Sequence, residues 1–185
     1  MLRIIGGEFG GRRLKAPAGQ LTRPSAARLR EALFSILAGR LEGARVVDLF
    51  AGSGALGLEA LSRGAASCVF VELRRPVVRV LHQNLAELGL TDRGRVLAAD
   101  AAFASRRLMA QGPFDLALAD PPYGQGLVAR VARVAAHPGF LAPGGIFVVE
   151  HQPNERPTAP PPLVPLDHRV YGQSELSMFA LPVGS

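Results

Sequence analysis

From Gly43 onward, short β-branched apolar runs alternate with longer stretches whose apolar residues recur every three or four positions. That alternation is the mark of a parallel sheet whose strands are joined by crossover helices. Strands are predicted at 44–50, 68–72, 95–99, 114–119 and 145–150, with helices near 55–63, 75–88, 101–110 and 126–136. Gly64 and Gly89 fall where a helix C-cap favours a left-handed residue. After Glu150 the pattern changes. Residues 153–165 are proline-rich and read as a loop, and 166–171 and 175–181 flank Gly172-Gln173-Ser174 as an antiparallel hairpin. Ahead of the sheet, residues 3–15 predict a glycine-turned hairpin. Residues 24–39 predict a helix with Ser25 near its cap and Leu29, Leu33, Phe34 and Leu37 on one apolar face. Arg28 and Arg30 are then expected off that face, toward solvent.

At 185 residues the chain suits one domain, with 1–42 as a small extension and 43–185 as the core. No apolar run approaches the roughly eighteen residues of a membrane helix, and the first residues lack a signal peptide's apolar core. A cytoplasmic protein is expected. Cys68 is the only cysteine, and His82, His137, His151 and His168 are scattered, so neither a disulfide nor a metal site is expected. The charge is unevenly placed. Residues 1–45 hold nine Lys/Arg against three Asp/Glu, whereas residues 46–185 hold twelve of each. An excess confined to the first quarter reads as a footprint for a polyanion, and Arg12, Arg13, Lys15, Arg23, Arg28 and Arg30 are its candidate contacts. The competing reading is a solvated basic surface whose charges pair with carboxylates of the fold.

The segment from Val46 to Gly57 leaves a buried strand and enters a helix through Gly52, Gly54 and Gly57. Glycine suits a sharp turn that must come close to a ligand, and the helix N-terminus favours an anionic group. The spacing satisfies the dinucleotide fingerprint, so a dinucleotide is one ligand to weigh. The fuller string, with Asp48 at the strand end and Phe50-Ala51-Gly52-Ser53-Gly54 after it, resembles the first motif of class I methyltransferases, which bind S-adenosylmethionine. Glu72 ends the next strand, where a carboxylate accepts hydrogen bonds from ribose hydroxyls in either ligand. Leu73 follows it. Asp100 and Ala101 follow the third strand. There Asp100 either meets an adenine amino group or simply caps the turn. Cys68 reads as buried filler.

Asp120-Pro121-Pro122-Tyr123 follows the fourth strand, at the edge where open α/β sheets bind ligands. An exocyclic base amine is a poor nucleophile because its lone pair is delocalised into the ring. A carboxylate and a backbone carbonyl that each accept one N–H draw the nitrogen toward sp³. Two prolines fix that carbonyl and supply no competing donor. Tyr123 offers a π-face for a flipped-out base.

The N-terminal strings Arg3-Ile4-Ile5-Gly6-Gly7, Gly11-Arg12 and Arg23-Pro24-Ser25, the run Arg28–Phe34, Gly52–Arg63, the tetrad and Tyr171-Gly172 together resemble the RsmD family along the whole chain. Its members are bacterial methyltransferases acting on guanine N2 in 16S ribosomal RNA. Ser25 stands where threonine is the more usual family residue, which keeps a hydroxyl cap. The resemblance implies a class I methyltransferase fold, a Rossmann-like seven-stranded, mostly parallel sheet with an antiparallel C-terminal hairpin. It also implies S-adenosylmethionine as donor, S-adenosylhomocysteine as product, and a cytoplasmic monomer that docks on ribosomal RNA. Asp120 and Tyr123 take the family's catalytic and stacking roles. The alternatives are a DNA adenine-N6 or cytosine-N4 methyltransferase, for which 185 residues leave no target-recognition region, and a protein-glutamine methyltransferase, whose tetrad normally begins with Asn. A non-catalytic RNA-binding protein would have no need of Asp120, and the tetrad and hairpin answer a dinucleotide oxidoreductase.

Overall fold

The computed structural model describes residues 2–17 and 24–184; Arg23, the side chain of Ser25 and the cap expected there lie outside the described residues. Seven strands form one sheet in the order β3-β2-β1-β4-β5-β7-β6. They are β1 (Arg45–Asp48), β2 (Ser67–Glu72), β3 (Gly94–Ala98), β4 (Phe114–Ala119), β5 (Leu141–His151), β6 (Val164–Tyr171) and β7 (Ser174–Ala180). The first five are parallel, and β7 runs antiparallel between β5 and β6. This is the class I methyltransferase fold that the pattern predicts.

Helices α1 (Pro24–Ile36), α2 (Ala55–Ser62) and α3 (Arg75–Leu88) share one apolar cluster with Ile4 and Leu14 of the N-terminal segment. Helices α4 (Ser105–Met109) and α5 (Leu127–Ala135) belong to the cluster on the other face of the sheet. Both clusters draw on alternate residues of the same strands, Val46 and Leu116 on one side and Val47 and Ala117 on the other. The period of two therefore explains a sheet buried on both faces.

Three boundaries differ from expectation, each for a local reason. α4 is half the predicted length because Asp100 Oδ1 accepts the Ala102 N–H at 2.9 Å, folding residues 100–103 into a turn before the helix starts. β5 begins at Leu141, which pairs with Phe114; a register shift at Pro143-Gly144-Gly145 separates that pair from the main ladder. The N-terminal hairpin is a looped segment with one bridge, Arg3 to Arg13, rather than two strands.

What holds that segment is α2. Glu59, fully buried, accepts the Ile5 N–H at Oε2 (2.7 Å) and the Gly6 N–H at Oε1 (2.9 Å), and pairs with Arg63 Nε (2.7 Å). Ser62 Oγ accepts the Phe9 N–H (2.9 Å) and donates to the Gly6 carbonyl (2.6 Å), while the Ser62 carbonyl accepts the Glu8 N–H (2.7 Å). Gly7 adopts φ +79°, and a Cβ there would run into the Ser62 carbonyl, so the tight approach requires glycine. Two motifs far apart in sequence are thus halves of one contact.

Glu59→Ala strips an acceptor from two amides and a cation, and should destabilise the protein by about 3 kcal/mol. Urea denaturation reads this as a lower midpoint; a midpoint within error of wild type would make the clasp ornamental.

Candidate active site

Four carboxylates stand at the carboxyl ends of four adjacent strands: Glu72 on β2, Asp48 on β1, Asp120 just past β4 and Glu150 on β5. Asp48 is buried, and its Oδ2 accepts the Gly57 N–H at 3.0 Å while Oδ1 makes no hydrogen bond. Burial pushes its carboxyl up to about 7; the Gly57 amide opposes the push and the Glu72 charge adds to it. Glu72 accepts the Gly52 N–H at Oε2 (3.1 Å) and both the Arg74 N–H (2.8 Å) and Arg74 Nε (3.2 Å) at Oε1. Asp120 stands open to solvent. Protein crowds its carboxyl closely enough to push it up to about 8, through lost hydration first, then the charges of Glu150 and Asp48. Tyr123 donates to Glu150 Oε1 at 2.7 Å and lies 3.2 Å from Ser174 Oγ. Lost hydration first, and then its bond to Glu150, push the phenol above its ordinary value despite the opposing Ser174 contact, so it stays neutral.

The glycine loop divides its work. Gly52 has φ +55°, and the space a Cβ would occupy there is free of protein atoms, which leaves the backbone open to a ligand. Gly54 caps α2 at φ +92°. Gly57 lets α2 lie on the sheet, since a Cβ would meet Phe70 and Cys68. Asn84 braces the loop from α3: Nδ2 donates to the Ser53 carbonyl (2.8 Å) and the Lys15 carbonyl (3.0 Å), and Oδ1 accepts the Lys15 N–H (2.8 Å). Leu73, 62% exposed, offers an apolar surface beside Glu72.

These residues fit S-adenosylmethionine. Its sulfonium and ammonium are cationic, and a row of carboxylates favours them. The pyrophosphate of a dinucleotide would meet the same row as an anion and be repelled. Asp48, Phe50, Ala51, Gly52, Ser53, Gly54, Glu72 and Leu73 lie on the β1 and β2 side of the edge, where the methionine and ribose would sit. Asp100 and Ala101, the expected adenine contacts, lie past β3, and Asp100 spends Oδ1 on its own turn.

A model of the family described as Conserved hypothetical protein 95 matches residues 2–180. The chain belongs to this family. Ribosomal RNA small subunit methyltransferase D of Escherichia coli is 39% identical over 161 residues, covering 86% of this chain and 79% of that protein. Putative rRNA methyltransferase YlbH of Bacillus subtilis is 34% identical over 184 residues, covering 96% and 98%. The solved structure of the putative methyltransferase yhhF from Escherichia coli superposes with a TM-score of 0.85 at 36% identity, covering 98% of both chains.

The basic residues expected to touch a polyanion are only partly free to do so. Arg30 does not face solvent: it is 7% exposed and donates to the Arg3 carbonyl at 2.7 Å. It lies beside Leu29 on the buried flank of α1, where the Glu59 charge offsets part of the cost of burying a guanidinium. Lys15 pairs with Glu87 at 2.5 Å, and Arg12 donates to the Glu87 carbonyl at 3.1 Å. Arg13 and Arg28 are exposed, with no side-chain partner among the described residues. The histidines are less scattered than the sequence suggests. His151, His168 and Glu175 place ligand-capable atoms within 4.8 Å of one another. Both His151 nitrogens are engaged, by the Gln152 carbonyl (2.8 Å) and Ser177 Oγ (2.7 Å), so the group is a hydrogen-bonded network. Among the described residues no helix is long and apolar enough to cross a membrane. Sequence reasoning missed Glu150, Ser174 and Asn84. Glu150 carried the same signal as Glu72, an acid ending a predicted strand.

Asp48 titrates near 3.8 when unfolded and about 7 when folded, so the folded protein holds the extra proton between those values. Its contribution is fully present below about pH 4 and is lost as pH rises to about 7. Thermal midpoints of wild type should therefore fall relative to Asp48→Asn across pH 4–7. A constant difference between the two curves would show that Asp48 ionises normally.

Proposed function

We propose that this protein transfers a methyl group from S-adenosylmethionine to the exocyclic N2 of a guanine in small-subunit ribosomal RNA, releasing S-adenosylhomocysteine. The observation that carries this reading is Asp120, held at the sheet's carboxyl edge with Tyr123 oriented beside it by Glu150. The relatives named for ribosomal RNA support the substrate class, and no metal is invoked in the reading.

The bound donor would supply a methyl group on a positively charged sulfur, an electrophile that needs positioning more than activation. The chain's own residues prepare the acceptor. Ionised Asp120 accepts one N–H of the guanine amine, and the backbone carbonyl framed by Pro121 and Pro122 accepts the other. The nitrogen lone pair is then free to form the N–C bond as the donor's S–C bond breaks, and the proton the amine sheds would pass to the Asp120 carboxylate and on to water. The Tyr123 ring holds the flipped base by stacking, its hydroxyl tied back to Glu150. Arg13 and Arg28 carry the N-terminal contribution to phosphate binding, with Arg12 and Lys15 joining where RNA competes for them with Glu87. Arg23 belongs to the same basic stretch of sequence. The reading is of a cytoplasmic enzyme acting as a monomer.

Protonated Asp120 is a far weaker acceptor of the N–H than the carboxylate, so single-turnover methylation should rise with pH through a midpoint near 8 and level off above it. Glu150→Gln removes a neighbouring negative charge, keeps an acceptor for Tyr123, and should move that midpoint to lower pH. Asp120→Ala should slow transfer by about 10²–10⁴-fold with cofactor affinity near wild type. Labelled methyl donor, small subunits lacking the modification and mapping of the labelled base provide the assay. A label on any base other than guanine, or an Asp120→Ala rate within a few-fold of wild type, would sink the reading.

A further inference from the structure

The loop after β3 exposes Phe103, with 74% of its surface open, and the guanidinium of Arg130 lies 5.9 Å from its ring centroid. Together with Ala102, Arg133, Val134 and His137 they line an open groove between this loop and α5. The segments that build it, 101–111 and 124–137, hold four arginines and no Asp or Glu. Arg106, Arg107, Arg130 and Arg133 are all exposed, and none has an ion pair or a side-chain hydrogen bond among the described residues. Arginines left without carboxylates, next to an uncovered aromatic, match what a single-stranded nucleic acid presents: phosphates and unpaired bases with open π-faces.

The groove also lies where a substrate would pass. Phe103 follows the carboxyl end of β3, and Arg130 sits in the first turns of α5, just past the Asp120–Tyr123 loop. Both therefore adjoin the edge that carries the carboxylate row. They sit on the α4–α5 face, whereas Arg13 and Arg28 sit on the face covered by the N-terminal segment.

We propose that this groove binds an unpaired stretch of the RNA substrate flanking the target base. One base stacks on Phe103 against Arg130, and Arg133 meets a phosphate. The inference rests on the RNA methyltransferase reading and extends it: the substrate straddles the sheet edge, held on both faces, with the target base turned down between them.

The test uses the full chain, small subunits lacking the modification and a short single-stranded RNA oligonucleotide. Methyl transfer by wild type tests the parent reading by itself; oligonucleotide affinity across salt concentrations tests the groove. Phe103→Ala should weaken oligonucleotide binding and raise KM for the particle by about tenfold or more, with kcat and S-adenosylmethionine affinity unchanged. The double variant Arg130→Ala with Arg133→Ala should flatten the slope of log affinity on log salt by about 0.7 for each phosphate no longer neutralised. Unchanged KM and parallel salt lines would overturn the proposal. So would a loss of S-adenosylmethionine affinity in Phe103→Ala, which would make the ring a cover for the cofactor. A benzophenone side chain placed at position 103 should crosslink to RNA; crosslinking only to ribosomal protein would give the groove to a different partner and end this one.

Discussion

A charged carboxylate with no access to water is costly unless donors saturate its oxygens, and Glu59 meets that need mostly through residues that must be brought to it. Two of the three donors are backbone amides, Ile5 and Gly6, some fifty residues earlier in the chain. To deliver them, the N-terminal segment must lie flat on α2, which forces the left-handed turn at Gly7 and seats Ile4 and Leu14 in the core. The extension is therefore part of the folded body. Asn84 then joins the same segment to the glycine loop through the carbonyls of Lys15 and Ser53.

This attachment also decides where the positive charge ends up. Along the sequence the excess sits in the first quarter, and counting alone assigns that quarter the polyanion. In the fold, Arg30 is spent on the Arg3 carbonyl and Lys15 on Glu87, while the arginines of α4 and α5, counted as neutral because acids elsewhere balance them, meet no carboxylate among the described residues. Screening confines an exposed charge's influence to roughly 8–10 Å at physiological salt, so local pairing matters more than the sum over a segment. The result is a row of carboxyl groups between exposed arginines. In the proposed reading the row faces a cationic donor and the arginines face a phosphate backbone.

Most of the architecture was legible because it rests on short-range periodicity. Alternating apolar runs located five parallel strands to within a few residues, and the change of pattern after Glu150 announced the antiparallel pair. Asp48, Glu72 and Asp120 were legible because strand ends in such a sheet face one side. What escaped was set by contacts across long separations. Arg30 looked exposed because its inward neighbour is a carbonyl 27 residues away. The halves of the Glu59 clasp were visible as motifs, yet nothing in either names the other. α4 was overextended because a helical pattern does not reveal that Asp100 will fold its own turn first.

The antiparallel strand is where topology and chemistry meet. Had β7 run parallel to β5, its first residue would lie at the amino edge, far from the tetrad. Running the other way, it pairs Leu176 with Glu150 and Glu175 with His151, and so carries Ser174 to the carboxyl edge. There Ser174 and Glu150 both reach the Tyr123 hydroxyl, one from each strand. Two contacts to one hydroxyl fix the position of the ring's outer end. Glu150 does a second job from the same position, since its charge keeps the proton affinity of Asp120 high. A carboxylate with high proton affinity is also a strong hydrogen-bond acceptor once ionised, which is what the proposed mechanism asks of Asp120. Ser174 of β7 and Glu150 of β5 thus meet at one hydroxyl, and Glu150 alone also acts on Asp120.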